Sequence, residues 1–155
     1  MNSKRTQMFT INGTIICNGY GRASSALKIQ IPLISKIVPE IQSMHPGTIN
    51  VQLENPLSVA RFDEEVKDLE WRPGYIESFG IVRAEFLPEG KKFKSPVPCL
   101  LYFPSTSPHR LNPFMVEVIT EKLDLELVSK CSLLFNQPSR KVEWVVVGKT
   151  AWVQD

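Results

Sequence analysis

Thr48 and Asn50 stand two residues apart in the run His45-Pro46-Gly47-Thr48-Ile49-Asn50-Val51-Gln52-Leu53. A Pro-Gly turn feeding an alternating apolar segment predicts a strand over 48–53, and residues two apart on a strand share a face. Ile49, Val51 and Leu53 then point into a core, which leaves a hydroxyl and an amide oxygen side by side on the other face. Such oxygens suit Mg²⁺, which takes few protein ligands and fills its shell with water and phosphate oxygens. An ordinary half-buried strand after a turn has the same spacing, so the pair needs support from its surroundings.

Two further stretches could supply it. Gly19, Tyr20, Gly21, Arg22, Ala23 and Ser24 form a polar, glycine-bearing loop after an apolar strand. Glycines let the backbone approach a phosphate, and successive N–H groups make an anion nest. Arg22 and Lys28 add positive charge. The loop is not a Walker loop, because no Gly-Lys-Ser/Thr follows. Further on, Ser105, Thr106, Ser107 and His109 are short polar groups on a breaker-rich loop entering a strand that carries Glu117. An acid among Phe114, Met115, Val116, Val118 and Ile119 either faces solvent or has a partner, since burying an unpaired charge is costly. No Ser-His-Asp or Cys-His spacing is convincing.

Period-two alternation predicts strands at 8–17, 48–53, 77–87, 96–103, 114–120, 130–135 and 141–147. A short helix is expected between Pro32 and Pro39, with Leu33, Ile34, Ile37 and Val38 inward. Residues 58–69 read as a short helix or as loop, and 121–128 as a turn of helix. The expected fold is mainly β: a small six-stranded β-barrel with one or two short helices. No βαβ alternation is present, which disfavours a doubly wound sheet. A single domain over 1–155 is expected, with 1–7 flexible and 141–155 as a C-terminal extension.

A net charge of +2 argues against a dedicated nucleic-acid binder. The densest basic run, Lys91-Lys92-Phe93-Lys94, follows Pro88-Glu89-Gly90 and reads as a solvated hairpin tip. No apolar stretch reaches the length of a membrane span, and the N-terminal residues lack the apolar segment of a signal peptide. Cys17, Cys99 and Cys131 are widely spaced and each sits in an apolar run, so they read as buried side chains rather than zinc ligands. The expected location is cytoplasmic.

In this order, the three polar stretches resemble the archaeal CTP-dependent riboflavin kinase family, over about Phe9 to Leu134. Pro46-Gly47-Thr48-Ile49-Asn50 is close to that family's Pro-Gly-Thr-Leu-Asn. The resemblance implies a cradle-loop-type barrel that transfers the γ-phosphate of CTP to the 5′-hydroxyl of riboflavin. It implies Mg²⁺ held by Thr48 and Asn50, and a nucleotide held by Gly19, Tyr20, Gly21, Arg22, Ala23 and Ser24. The family's Leu-Arg element after the Glu117 strand corresponds to Lys122-Leu123-Asp124, so Lys122 and Leu123 are further nucleotide candidates. Thr106 or Ser107, His109 and Glu117 would meet the acceptor, and Glu117 could take the hydroxyl proton.

The chain departs from the family in four places. Ala23 replaces the third loop glycine, Asp124 stands where the family has arginine, and Val128-Ser129-Lys130 replaces an Asp-Gly-Asp turn. The Lys141–Asp155 tail, with Trp144 and Trp152, exceeds the usual family ending. The expectation is a Mg²⁺-dependent kinase for a riboflavin-like acceptor, with no nucleic acid or membrane among its partners. The alternative is a non-catalytic nucleotide- or flavin-binding module, with a protein partner.

Overall fold

Alternating apolar residues set the strand faces, and their register closes the fold. A computed structural model describes residues 7–17, 23–59, 62–105, 112–137 and 144–146. The elements are β1 (Gln7–Cys17), α1 (Ala23–Ile34), a 3₁₀ segment (Pro39–Ser43), β2 (Ile49–Leu53), β3 (Leu57–Val59) and β4 (Glu64–Arg72). They continue as β5 (Tyr75–Pro88), β6 (Val97–Pro104), β7 (Met115–Thr120), β8 (Lys130–Gln137) and β9 (Trp144–Val146). No helix among the described residues is long and apolar enough to cross a membrane.

Seven antiparallel strands make one sheet in the order β4-β5-β6-β7-β2-β1-β8. The long β5 also pairs with β8, through Glu85↔Leu134 to Pro88↔Cys131. Six strands therefore pair in a closed circuit, with β4 added at the side and β3–β9 as a separate two-stranded sheet. One residue face from all six strands meets in a single cluster that includes Ile11, Val51, Val82, Leu101, Val118 and Leu133. The opposite face of β5, β6 and β7 offers Phe79, Ile81, Leu100, Tyr102 and Ile119, and α1 and the 3₁₀ segment cover it with Leu27, Ile34, Val38 and Ile41. Gly13 on β1 is needed for this closure, because a Cβ there would meet the Val51 side chain and the Gln52 carbonyl.

Three sequence expectations are corrected. The helix lies before Pro39 and mostly before Pro32, which sits in its last turn. Leu27, Gln30 and Ile34 recur at helical spacing and are buried, whereas Ile37 is exposed. Val38, restricted by the following proline, is non-helical, so the chain turns there. Within 58–69 no described residue is helical: residues 58–59 belong to β3, Phe62 and Asp63 are irregular, and residues 64–69 belong to β4, while 60–61 lie outside the described residues. A bulge between Val66 and Leu69, with Asp68 at φ 52°, puts these two inward residues three apart and mimics helical spacing. Residues 121–128 form no helix; Leu127 turns at φ 64° and is fully exposed. Cys99 and Cys131 are buried as expected, and burial pushes the Cys131 thiol up to about 12.

Arg83 on β5 ties the covering layer to the sheet. Its Nε donates to Glu40 Oε2 at 2.8 Å and its Nη1 to Glu64 Oε1 at 3.2 Å. The Arg83 guanidinium holds Glu40 below the usual carboxylate range. Arg83→Ala is expected to lower stability by about 1 kcal/mol at neutral pH, the scale of a half-exposed bidentate pair. Glu40 has its folded pKa depressed, so its share of this stabilisation is present above its ordinary value of 4.5 and fades as pH falls through the lowered one. Urea midpoints of the two proteins at pH 7 and below pH 4 test this.

Candidate functional site

A single transverse row of residues builds the site. Cys17 on β1 is in register with Asn50 on β2, Asn50 with Glu117 on β7, and Glu117 with Tyr102 on β6. Directly opposed residues on neighbouring strands present their side chains on one face. Asn50, Glu117 and Tyr102 therefore stand beside one another on the face that carries α1. Thr48, just before β2, joins them: its Oγ1 donates to Glu117 Oε1 at 3.3 Å, and it is buried. Thr48 and Asn50 thus both adjoin the same carboxylate.

Asn50 Oδ1 is buried and accepts no hydrogen bond from the described residues. A buried acceptor without a donor costs stability unless something else satisfies it. With the Thr48 hydroxyl and the Glu117 carboxylate it makes a set of hard oxygen donors, the chemistry that Mg²⁺ selects. Among the described residues no three His, Cys, Asp or Glu gather as a metal cluster, so this donor set contains one carboxylate and two neutral oxygens. Thr48, Asn50 and Glu117 are the described residues whose chemistry could hold such an ion.

Positive charge gathers on one flank. His45 lies three residues before Thr48, and its backbone N–H donates to the Thr120 carbonyl at 2.8 Å. That bond draws the Pro-Gly turn against the end of β7. Partial burial lowers the His45 pKa, and Lys122 and Lys28 add to the effect by their charge. Two elements, α1 and the segment after β7, so bring lysines to the neighbourhood of the row, beside the His45 imidazole of the turn before β2. Asp124 pairs with Lys92 of the β5–β6 hairpin at 3.1 Å, so its negative charge is neutralised locally. The hairpin tip is solvated as expected: Lys91, Lys92 and Lys94 are exposed, and the Lys92–Asp124 pair lies at the surface.

On the other flank lies a cavity of about 670 Å³. Glu117 and Tyr102 line it, together with Leu57, Val59, Phe62, Gly80, Phe103 and Ser105. Phe62 and Phe103 pair with ring centroids 5.4 Å apart. The Phe62 ring lies directly on Gly80, where a Cβ would collide with it. Tyr102 stacks on Phe79 and donates its hydroxyl to Gln30 Oε1 of α1 at 2.6 Å, in a buried bond. The cavity has the size and apolar lining of a small-molecule site, with a carboxylate in its wall.

The structure thus brings together Thr48, Asn50 and Glu117, with Lys122 near His45. Leu123 is half-buried against the core and lies in the irregular segment after β7. Ala23 and Ser24 are not loop residues: they open α1. Gly19, Tyr20, Gly21 and Arg22 lie outside the described residues, as do Thr106, Ser107 and His109. Their flanks are informative. The 18–22 segment leaves from Cys17, register partner of Asn50, and returns at the first turn of α1. The 106–111 segment runs between Ser105 and Asn112, which both line the cavity. Phe103 lines the cavity as an aromatic wall, whereas Phe114 is exposed. Sequence reasoning missed His45, Phe62, Tyr102 and Gln30; only the adjacency of His45 to the Pro-Gly turn gave any sign.

No protein-family model matches the chain, and no curated protein matches it significantly.

Two outcomes are expected. In the ligand-free protein His45 titrates below its ordinary 6.5, since burial and two lysines disfavour its charged form. Its protonation therefore costs stability, and this cost enters as pH falls from 6.5 through the lowered value. Inorganic triphosphate should move the titration upward, read from the imidazole resonances by NMR. Gly80→Ala displaces the Phe62 ring, so it should alter the near-ultraviolet circular dichroism of the aromatic pair while leaving the far-ultraviolet spectrum unchanged.

Proposed function

We propose that this chain is a Mg²⁺-dependent phosphotransferase of the CTP-dependent riboflavin kinase type. It would move the γ-phosphate of a CTP-like nucleotide to the 5′-hydroxyl of riboflavin or a similar small hydroxylated acceptor. The observation that carries this reading is the buried Asn50 Oδ1, without a donor among the described residues, beside Thr48 and Glu117 and set between a lysine-bearing flank and an apolar cavity. The circuit of six paired strands supports a cradle-loop barrel as the frame.

Phosphoryl transfer needs positioning and charge neutralisation more than covalent help. Lys28, His45 and Lys122 would draw the polyphosphate to the turn, and the first N–H groups of α1 add an anion-attracting helix end. Thr48 and Asn50 would hold Mg²⁺, which when bound screens the phosphate charge. Phe62 and Phe103 would flank the acceptor's ring. Glu117 would accept a hydrogen bond from the acceptor hydroxyl. As the acceptor oxygen bonds to the γ-phosphorus and the bond to the bridging oxygen breaks, the hydroxyl proton passes to Glu117 and the bridging electrons leave with the nucleoside diphosphate. Asp124, in place of the family's arginine, is neutralised by Lys92 and so does not repel the phosphates with a full charge.

The decisive assay mixes the protein with riboflavin, CTP and Mg²⁺ and measures FMN. Product is expected, with Glu117→Gln lowering turnover by about a hundredfold, the scale of a positioned general base. Asn50→Ala should raise the Mg²⁺ requirement without unfolding the protein. Thermal stabilisation by CTP and Mg²⁺ without turnover would instead identify a binding module; absence of both retires the nucleotide reading.

A further inference from the structure

We infer that the C-terminal strand β9 is a strap that holds one wall of the cavity, so that its docking governs how long the cavity retains a planar apolar ligand. The inference rests on reading that cavity as the acceptor site. The wall in question is β3, whose Leu57 and Val59 share one strand face and both line the cavity. β3 has three residues and lies outside the seven-stranded sheet. Its strand partner among the described residues is β9, through Leu57↔Val146, Ser58↔Val145 and Val59↔Trp144.

The two ends of β3 are held differently. The Leu57 N–H donates to the Pro113 carbonyl at 2.7 Å, and Leu57 is buried in the core cluster. Val59 packs on the rim of the same cluster but is only half-buried, its N–H has no bond to the sheet like that of Leu57 among the described residues, and its register partner is Trp144 of β9. A three-residue strand has too little of its own to stay ordered, so the Val59 end depends on the pairing. The closed circuit of six strands does not include β9, so β9 can leave without opening the circuit. Binding and docking are then linked: whatever favours the docked strand favours the occupied cavity, and the reverse holds equally.

The test uses the full chain. Ser58 and Val145 are directly opposed, a separation that a disulfide spans. The Ser58→Cys, Val145→Cys protein is expected to cross-link on oxidation. Riboflavin, followed by its fluorescence, should then leave about tenfold more slowly than from the reduced form, the scale of one well-packed apolar contact. Val145→Pro removes a ladder N–H; it should weaken riboflavin binding by about as much and speed amide exchange at residues 57–59, with the far-ultraviolet spectrum kept. A pair that does not cross-link, or equal release rates in the two redox states, overturns the strap. Should Val145→Pro unfold the protein, the tethered pair decides alone. If the wild-type chain takes up no riboflavin, the acceptor reading fails by itself. The strap is then judged with the dye ANS: faster exchange at 57–59 and greater dye uptake in Val145→Pro sustain it, and no change in either overturns it.

Discussion

The register of β7 between β2 and β6 is the constraint on which the site depends. It sets Glu117 opposite Asn50 on one side and opposite Tyr102 on the other. A slip of one residue would turn Glu117 into the apolar cluster, and would turn Val116 and Val118 out of it. Burying that carboxylate among apolar side chains would be costly, so the hydrophobic pattern that builds the core also fixes the polar row. The polar row and the fold here share one specification: Val116 and Val118 of β7 join the core, while Ile119 packs under α1 on the face that carries Glu117.

The row also explains why the covering layer matters to chemistry. α1 buries Leu27 and Ile34 against the sheet, yet it places Gln30 where the Tyr102 hydroxyl needs a partner. Burial pushes that phenol well above its usual range, so Tyr102 stays a neutral donor at any physiological pH. The helix whose first turn follows the glycine-bearing segment is thereby pinned to the strand beside Glu117. Arg83, Glu40 and Glu64 anchor the same layer further along, by exposed charge rather than by burial.

The two flanks differ in kind, as a site that joins two ligands would require. Lysines from two separate elements and the His45 imidazole stand on the side of the Pro-Gly turn. Aromatic and aliphatic side chains line the other side, where Phe62 can settle on the sheet only because residue 80 has no side chain. Asn50 lies between the flanks with an acceptor oxygen that nothing in the described protein satisfies. Natural proteins keep few such groups, and a ligand-binding role is one physical reason to keep one.

The sequence by itself determined the strands with clean alternation, the face shared by Thr48 and Asn50, and the burial of Cys99 and Cys131. These are local matters: side-chain period and turn chemistry act within a few residues. It misread 64–69, because the bulge at Asp68 breaks the period of two, and it misplaced the helix, because Pro32 is tolerated in a last turn anchored by distant apolar partners. It hinted at Glu117 as a charged residue needing a partner, but could not say which. Only the tertiary structure decided that Thr48, 69 positions away along the chain, donates to it, and that Asn50 and Tyr102 flank the same carboxylate. Strand order and register are set by the packing of all six strands around one core, and no local segment carries that information.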